Sequence, residues 1–215
     1  MTLLKNRKEA GKKLAEKIIL IVQREDVIVL AIPRGGVIIG EEISKKLGCS
    51  LDIIISKKIT PISSSEYAIG AITHDGTIYR GPNWDRFSLE PGFEEEISKK
   101  KTEVKRRIEE YRGNSDYEFG NKTVILVDDG IATGSTIFVL LKWLSHRKVT
   151  RIILAVPVIP ASIFEEMKTL ICDIVALEIP SEFHAVGQFY QEFEQVSDRE
   201  VKTILNNFKN SVLDS

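Results

Sequence analysis

Two adjacent acids are the first residues here that could do chemistry. Asp128 and Asp129 end the apolar run Val124 to Val127, and Gly-Ile-Ala-Thr-Gly-Ser-Thr follows at 130–136. The run predicts a buried strand, which delivers both carboxylates to its carboxyl end. In open α/β sheets ligands bind at that edge. Ala132, Thr133, Gly134, Ser135 and Thr136 form a small-residue loop that opens a predicted helix. Backbone N–H groups turned toward one point at a helix N-terminus bind a phosphate. The hydroxyls of Thr133, Ser135 and Thr136 add donors. Two carboxylates beside such a cradle suit the vicinal hydroxyls of a sugar, or a hydrated Mg²⁺. Together they describe a phosphorylated sugar.

Ile32-Pro33-Arg34-Gly35-Gly36 also lies where a predicted strand meets a helix. Arg34 offers a bidentate phosphate donor. Gly35 and Gly36 allow backbone conformations closed to other residues. Lys57 and Lys58 close a second predicted strand, 51–56, and bring a cation to the same edge. Which lysine points inward stays open, because that strand is apolar on both faces. The stretch 181–193 carries Phe183, Phe189, Tyr190 and Phe193. Phe183 and His184 follow the fifth strand, near the sheet edge. Aromatic faces stack on bases for about 1–3 kcal/mol each, and packing of the last helix onto the core accounts for them equally well.

The elements that must position these groups alternate in period. Ala10, Leu14, Ile18 and Val22 predict a helix over 8–22, with lysines on its other face. Buried strands are predicted at 27–33, 51–56, 123–129, 150–158 and 171–179, separated by helices. Strands that are apolar throughout and alternate with helices predict a parallel five-stranded core sheet with helices on both faces, an α/β fold. Residues 57–92 are the long irregular region, with one hairpin turning near Asp75-Gly76. Residues 93–112 form a charged, solvated helix with i,i+4 pairs Glu96/Lys100 and Glu103/Arg107. Ser197 and Glu200 have capping-box spacing ahead of a last helix.

Composition narrows the classes. The chain has 215 residues, 43% hydrophobic, with 30 Lys+Arg against 31 Asp+Glu. That length predicts a single domain burying roughly 70% of its unfolded surface. A net charge of −1 removes the long-range case for nucleic acid or an anionic membrane as partner. Two cysteines, Cys49 and Cys172, fit a reducing compartment, and with His74, His146 and His184 they make no zinc pattern. No segment reaches the ~18 apolar residues of a membrane span. The expectation is a soluble, cytoplasmic chain without a targeting sequence.

The string 124–136 resembles the signature of the type I phosphoribosyltransferases, and the order of parts over roughly 8–195 is similar to theirs. The likeness is strongest to an uncharacterised branch with Pro-Arg-Gly-Gly after the first strand. The resemblance implies a Mg²⁺-dependent enzyme that transfers the phosphoribosyl group from 5-phosphoribosyl-1-diphosphate (PRPP) to a base, releasing pyrophosphate. It implies that Asp128 and Asp129 hold the ribose hydroxyls and that 132–136 bind the 5′-phosphate. Arg34, Gly35, Gly36 and a lysine of Lys57/Lys58 would contact diphosphate, in a loop that often carries a cis peptide. Val186-Gly187, followed by Tyr190, Glu192 and Phe193, is similar to the base-contacting end of hypoxanthine-type members. This makes Phe183, His184 and Val186 candidate base contacts, in a hood at 180–195. The loop 62–70, within the lid region 57–92, stands where the family carries a lid that would bring Glu66 and Tyr67 inward, and a homodimer is implied. Ala132 stands where many 6-oxopurine enzymes have an acidic general base, so the acceptor stays open. A PRPP- or nucleotide-sensing module on the same fold is the alternative.

Overall fold

Why the chain forms its elements is clearest at the centre of the large sheet. Thr123–Val127 is buried at every position, as a strand covered on both faces must be. The computed structural model describes residues 3–22, 26–64, 67–171 and 173–213. In chain order these form α1 (Arg7–Ile18), β1 (Val27–Ala31), α2 (Gly35–Leu47), β2 (Ser50–Ile53), β3 (Ser56–Ile59), β4 (Gly70–Thr73) and β5 (Ile78–Arg80). Then come α3 (Trp84–Phe87), α4 (Phe93–Arg112), β6 (Thr123–Val127), α5 (Ser135–Ser145), β7 (Arg151–Val158), α6 (Ala161–Lys168), β8 (Asp173–Glu178) and α7 (Asp198–Leu213).

The chain divides into two compact units. The first comprises residues 1–54, 118–133 and 148–215. Its five-stranded sheet has the order β2-β1-β6-β7-β8, every pair parallel. This is the α/β sheet expected from the sequence. Helix α1 buries Ala10, Leu14, Ala15 and Ile18. Gly11 lets it approach α2 closely, since a Cβ there would lie 2.8 Å from Glu42 Cβ. The helix stops at Ile18, short of the predicted Val22. The segment Ile18-Ile-Leu-Ile-Val22 is mostly β-branched, and such residues lose side-chain freedom in a helix. Gly48 ends α2 in the left-handed conformation at φ 66°, which glycine adopts without strain. Ser197 and Glu200 form their capping box: Ser197 N–H donates to Glu200 Oε2 at 2.8 Å, and Glu200 N–H to Ser197 Oγ at 3.2 Å.

The second unit comprises residues 55–117 and 134–147. Its sheet, β3-β4-β5, is antiparallel. Here the expectation of a strand over 51–56 followed by a loop fails. The parallel strand ends at Ile53, and Ser56–Ile59, with Lys57 and Lys58, enters the antiparallel sheet. The apolar run Ile53–Ile55 carries no mark of where pairing changes. The hairpin turn at Asp75-Gly76 stands as expected, with Gly76 at φ 95°. The described residues of 57–92 thus include three strands and the short α3, where an irregular region was expected. Ile59, Ile69, Ile72, Trp84 and Phe93 make the core. Helix α4 has a buried side, Val104, Ile108 and Tyr111, so it is amphipathic rather than solvated all round. Glu96 pairs with Lys100 at 3.0 Å as its spacing predicts, whereas Glu103 pairs with Lys57.

Among the described residues no helix is long and apolar enough to cross a membrane. Cys172 and Glu66 lie outside the described residues.

Candidate functional site

Strand β6 pairs with β1 on one side and β7 on the other. Its carboxyl end therefore opens at the middle of the first unit's sheet, and Asp128 and Asp129 follow it directly. The turn after β1 comes to the same place. Ile32 N–H donates to the carbonyl of Val127 at 2.8 Å. The Pro33–Arg34 peptide is cis, as the resemblance implies.

Gly35 and Gly36 are required by space, not by a left-handed backbone, which corrects the reason read from sequence. Neither has a positive φ. A Cβ on Gly36 would stand 2.7 Å from the Val127 carbonyl oxygen and 3.0 Å from Asp128 Cα. A Cβ on Gly35 would stand 2.7 Å from Arg7 Nε and would overlap Asp129 Oδ2. The two motifs found in the sequence are thus packed backbone to backbone. Arg34 directly precedes α2, its guanidinium 3.6 Å from Asp198 Oδ1 in an exposed pairing.

The acids are held differently. Asp129 Oδ2 accepts from Arg7 Nε at 2.7 Å, with the two side chains only 12% and 18% exposed. Its carbonyl accepts from the Tyr190 hydroxyl at 2.8 Å. Asp128 Oδ1 accepts the Asp129 N–H at 2.8 Å. Loss of hydration, and then the neighbouring Asp129 carboxylate, push the Asp128 carboxyl well above the usual carboxylate range. Burial, followed by the field of Asp129, raises the Tyr190 phenol.

Gly130 continues the chain at φ 156°, and a Cβ there would stand 2.9 Å from both Val186 Cγ2 and Val158 Cγ1. Val186 is therefore brought to the acid turn. Phe183 instead stacks on Phe189, with ring centroids 5.7 Å apart. His184 is exposed, and its backbone N–H donates to Gln188 Oε1 at 3.1 Å. Ala132 and Thr133 are exposed at the end of this unit's segment.

Gly134, Ser135 and Thr136 belong to the second unit. Gly134 takes φ 75° and starts α5. The first bond of that helix runs from Phe138 N–H to the Gly134 carbonyl at 2.9 Å. The amides of 135–137 therefore precede the ladder, as the first N–H groups of any helix do. In the same unit, Lys57 lies in β3 and pairs with Glu103, while Lys58 is exposed. Their predicted place at the end of the second parallel strand is corrected accordingly.

Sequence reasoning missed Arg7 and the polar role of Tyr190. Arg7 sits in a stretch crowded with lysines, where no spacing singles it out. Tyr190 appeared only as one aromatic among several.

A parallel sheet whose central strand ends in twin acids, braced by a glycine turn, defines an α/β class built to bind at the carboxyl edge of its strands. The chain matches the phosphoribosyl transferase domain model over residues 2–193 and belongs to that family. It is 32% identical over 213 residues to a Mycobacterium tuberculosis protein, Rv0571c, provisionally named a phosphoribosyl transferase. The match covers 96% of this chain and 47% of that protein, so the chain spans about half its length. The crystal structure of TT1426 from Thermus thermophilus is similar, with TM-score 0.80 and 32% identity over 97% of this chain and 99% of that one. AQ2163 of Aquifex aeolicus shares the fold, with TM-score 0.54 and 12% identity over 84% of this chain and 78% of that one.

Proposed function

We propose that this chain transfers the 5-phosphoribosyl group from PRPP to a nitrogenous base and releases pyrophosphate. The observation that carries the reading is the packing of Gly35 and Gly36 against Val127, Asp128 and Asp129. It joins a basic glycine turn to a pair of acids at the one edge of the sheet where this fold class binds ligands. Membership of the phosphoribosyl transferase family supports it.

In this reading Asp128 and Asp129 orient the ribose hydroxyls and place negative charge beside the carbon that becomes cationic. Fixed charges act strongly where water is excluded. Arg34 and the 34–36 turn contact the diphosphate, joined by Lys57 or Lys58. The amides and hydroxyls of 132–136 take the 5′-phosphate, and binding there positions the reacting carbon. Val186, beside Gly130, is the best placed of the three base-contact candidates, with Phe183 and His184 further along the same segment. Ala132 has no proton to exchange, so the acceptor's proton leaves by another group.

Among the described residues there is no group of three or more His, Cys, Asp or Glu that would hold a metal by itself. Mg²⁺ does not need one: it keeps several waters and binds through one or two carboxylates plus substrate phosphates. Asp128 and Asp129 fit that donor set. When bound, Mg²⁺ offsets charge on the departing diphosphate.

The test is pyrophosphate release from PRPP and Mg²⁺ with a panel of purines, pyrimidines and related bases. Release that depends on one base names the acceptor. PRPP binding without release on any base would replace the transferase with a sensing module.

A further inference from the structure

We infer that Arg7 is a positioning residue, which anchors Asp129 so that the paired acids present one fixed face to the ribose of the donor. The inference rests on the phosphoribosyl-transfer reading and extends it to a residue outside both motifs.

The anchor is built, not incidental. Asn6 caps α1 by accepting the Glu9 N–H at 3.1 Å, which fixes the direction in which Arg7 leaves the helix. Leu4 forms a bridge with Tyr190, with Leu4 N–H to the Phe189 carbonyl at 2.9 Å and Gln191 N–H to the Leu4 carbonyl at 2.8 Å. From that frame Arg7 is held at three points. Nε meets Asp129 Oδ2 at 2.7 Å, an Nη meets the Glu194 carbonyl at 2.7 Å, and the guanidinium lies 3.9 Å from the Phe193 ring centroid. Only a planar, forked cation satisfies all three, so lysine is no substitute.

A staple between chain segments alone would end at Glu194 and Phe193. Arg7 goes further and takes an acid of the pair. Asp129 is thereby fixed at its carboxylate by α1 and at its carbonyl by Tyr190, two residues whose segments the Leu4 bridge ties together. Arg7 pairs with Asp129 at 2.7 Å, whereas Arg34, in the adjoining turn, lies 3.6 Å from Asp198.

The experiment is PRPP binding by calorimetry with Mg²⁺ at neutral pH on wild type, Arg7→Gln, Arg7→Lys, Asp129→Asn and the Arg7→Gln/Asp129→Asn double variant. Arg7→Gln is expected to weaken PRPP at least tenfold, since truncating one partner of a buried charge pair leaves the other unmatched. Arg7→Lys keeps the charge without the fork, so affinity recovers only in part. Once Asp129 is Asn, removing Arg7 adds little. Wild-type affinity in Arg7→Gln would overturn the inference, as would full additivity in the double variant. A wild type that binds no PRPP is a different result. It removes the donor assignment itself, and the ribose role of Arg7 goes with it.

Discussion

Gly35 and Asp129 are packed so tightly that a β-carbon on the glycine would overlap the carboxylate oxygen Oδ2. Asp129 cannot retreat, because Arg7 holds that oxygen at 2.7 Å. Gly35→Ala is therefore expected to displace the acid or the turn, lowering stability by about 1–3 kcal/mol as overpacking does. Gly36→Ala should do likewise against the Val127 carbonyl, 2.7 Å from the built Cβ. Thermal melts and PRPP binding check both. Variants as stable as wild type, with unchanged binding, would show that the close fit is irrelevant.

Replacing Asp128 or Asp129 with Asn keeps shape and removes charge. Each is expected to cut turnover by at least 100-fold, since groups aimed at developing charge typically contribute that much. Circular dichroism should show the fold retained. Full turnover in both variants would remove the ribose role from the acids.

The second unit has an acid-sensitive point. Asp75 accepts from Trp143 Nε1 at 2.9 Å, Arg147 at 2.7 Å, the Thr73 hydroxyl at 2.7 Å and Thr77 N–H at 3.0 Å. Burial alone would raise its carboxyl, but the hydrogen bonds from Thr73 and Thr77 outweigh it and hold the group at about 2, against 3.8 for the free residue. Beside it His74 is packed against Tyr117 and Trp143, and burial lowers its imidazole below the usual 6.5, with Asp75 opposing. Both folded values lie below the unfolded ones, so both stabilise the neutral-pH protein. The His74 contribution is present above 6.5 and fades as pH falls below it. The Asp75 contribution is present above 3.8 and is lost as pH falls toward 2. Melting temperature against pH should decline below about 6.5 and steepen below about 4. Asp75→Asn should remove the second phase, and an unchanged profile would contradict the assignment.

Ser197→Ala removes one side of the capping box at α7 and is expected to destabilise by about 1 kcal/mol. Urea unfolding measures it, and a change near zero would mean that water replaces the cap.

Much of this was legible in the chain itself. The strands of the large sheet were visible because burial on both faces leaves an unbroken apolar run, as in Val124 to Val127. Gly48 and Ser197 marked helix ends through chemistry that acts within a few residues. The twin acids and the glycine turn were visible as strings, for the same local reason. What stayed hidden depends on contacts across long separations. Arg7 meets Asp129 over 122 positions, and one arginine among lysines leaves no periodic trace. The antiparallel sheet was hidden because Ile53 to Ile55 stays apolar while the pairing changes, so Lys57 and Lys58 seemed to end a strand they do not belong to.

The most direct measurement is a crystal structure of the protein grown with PRPP and Mg²⁺. The account predicts the ribose hydroxyls within hydrogen-bond distance of Asp128 and Asp129, the monoester phosphate on the amides of 132–136, and the diphosphate against the 34–36 turn. Ribose density away from both acids, or a diphosphate that avoids the glycine turn, would contradict it.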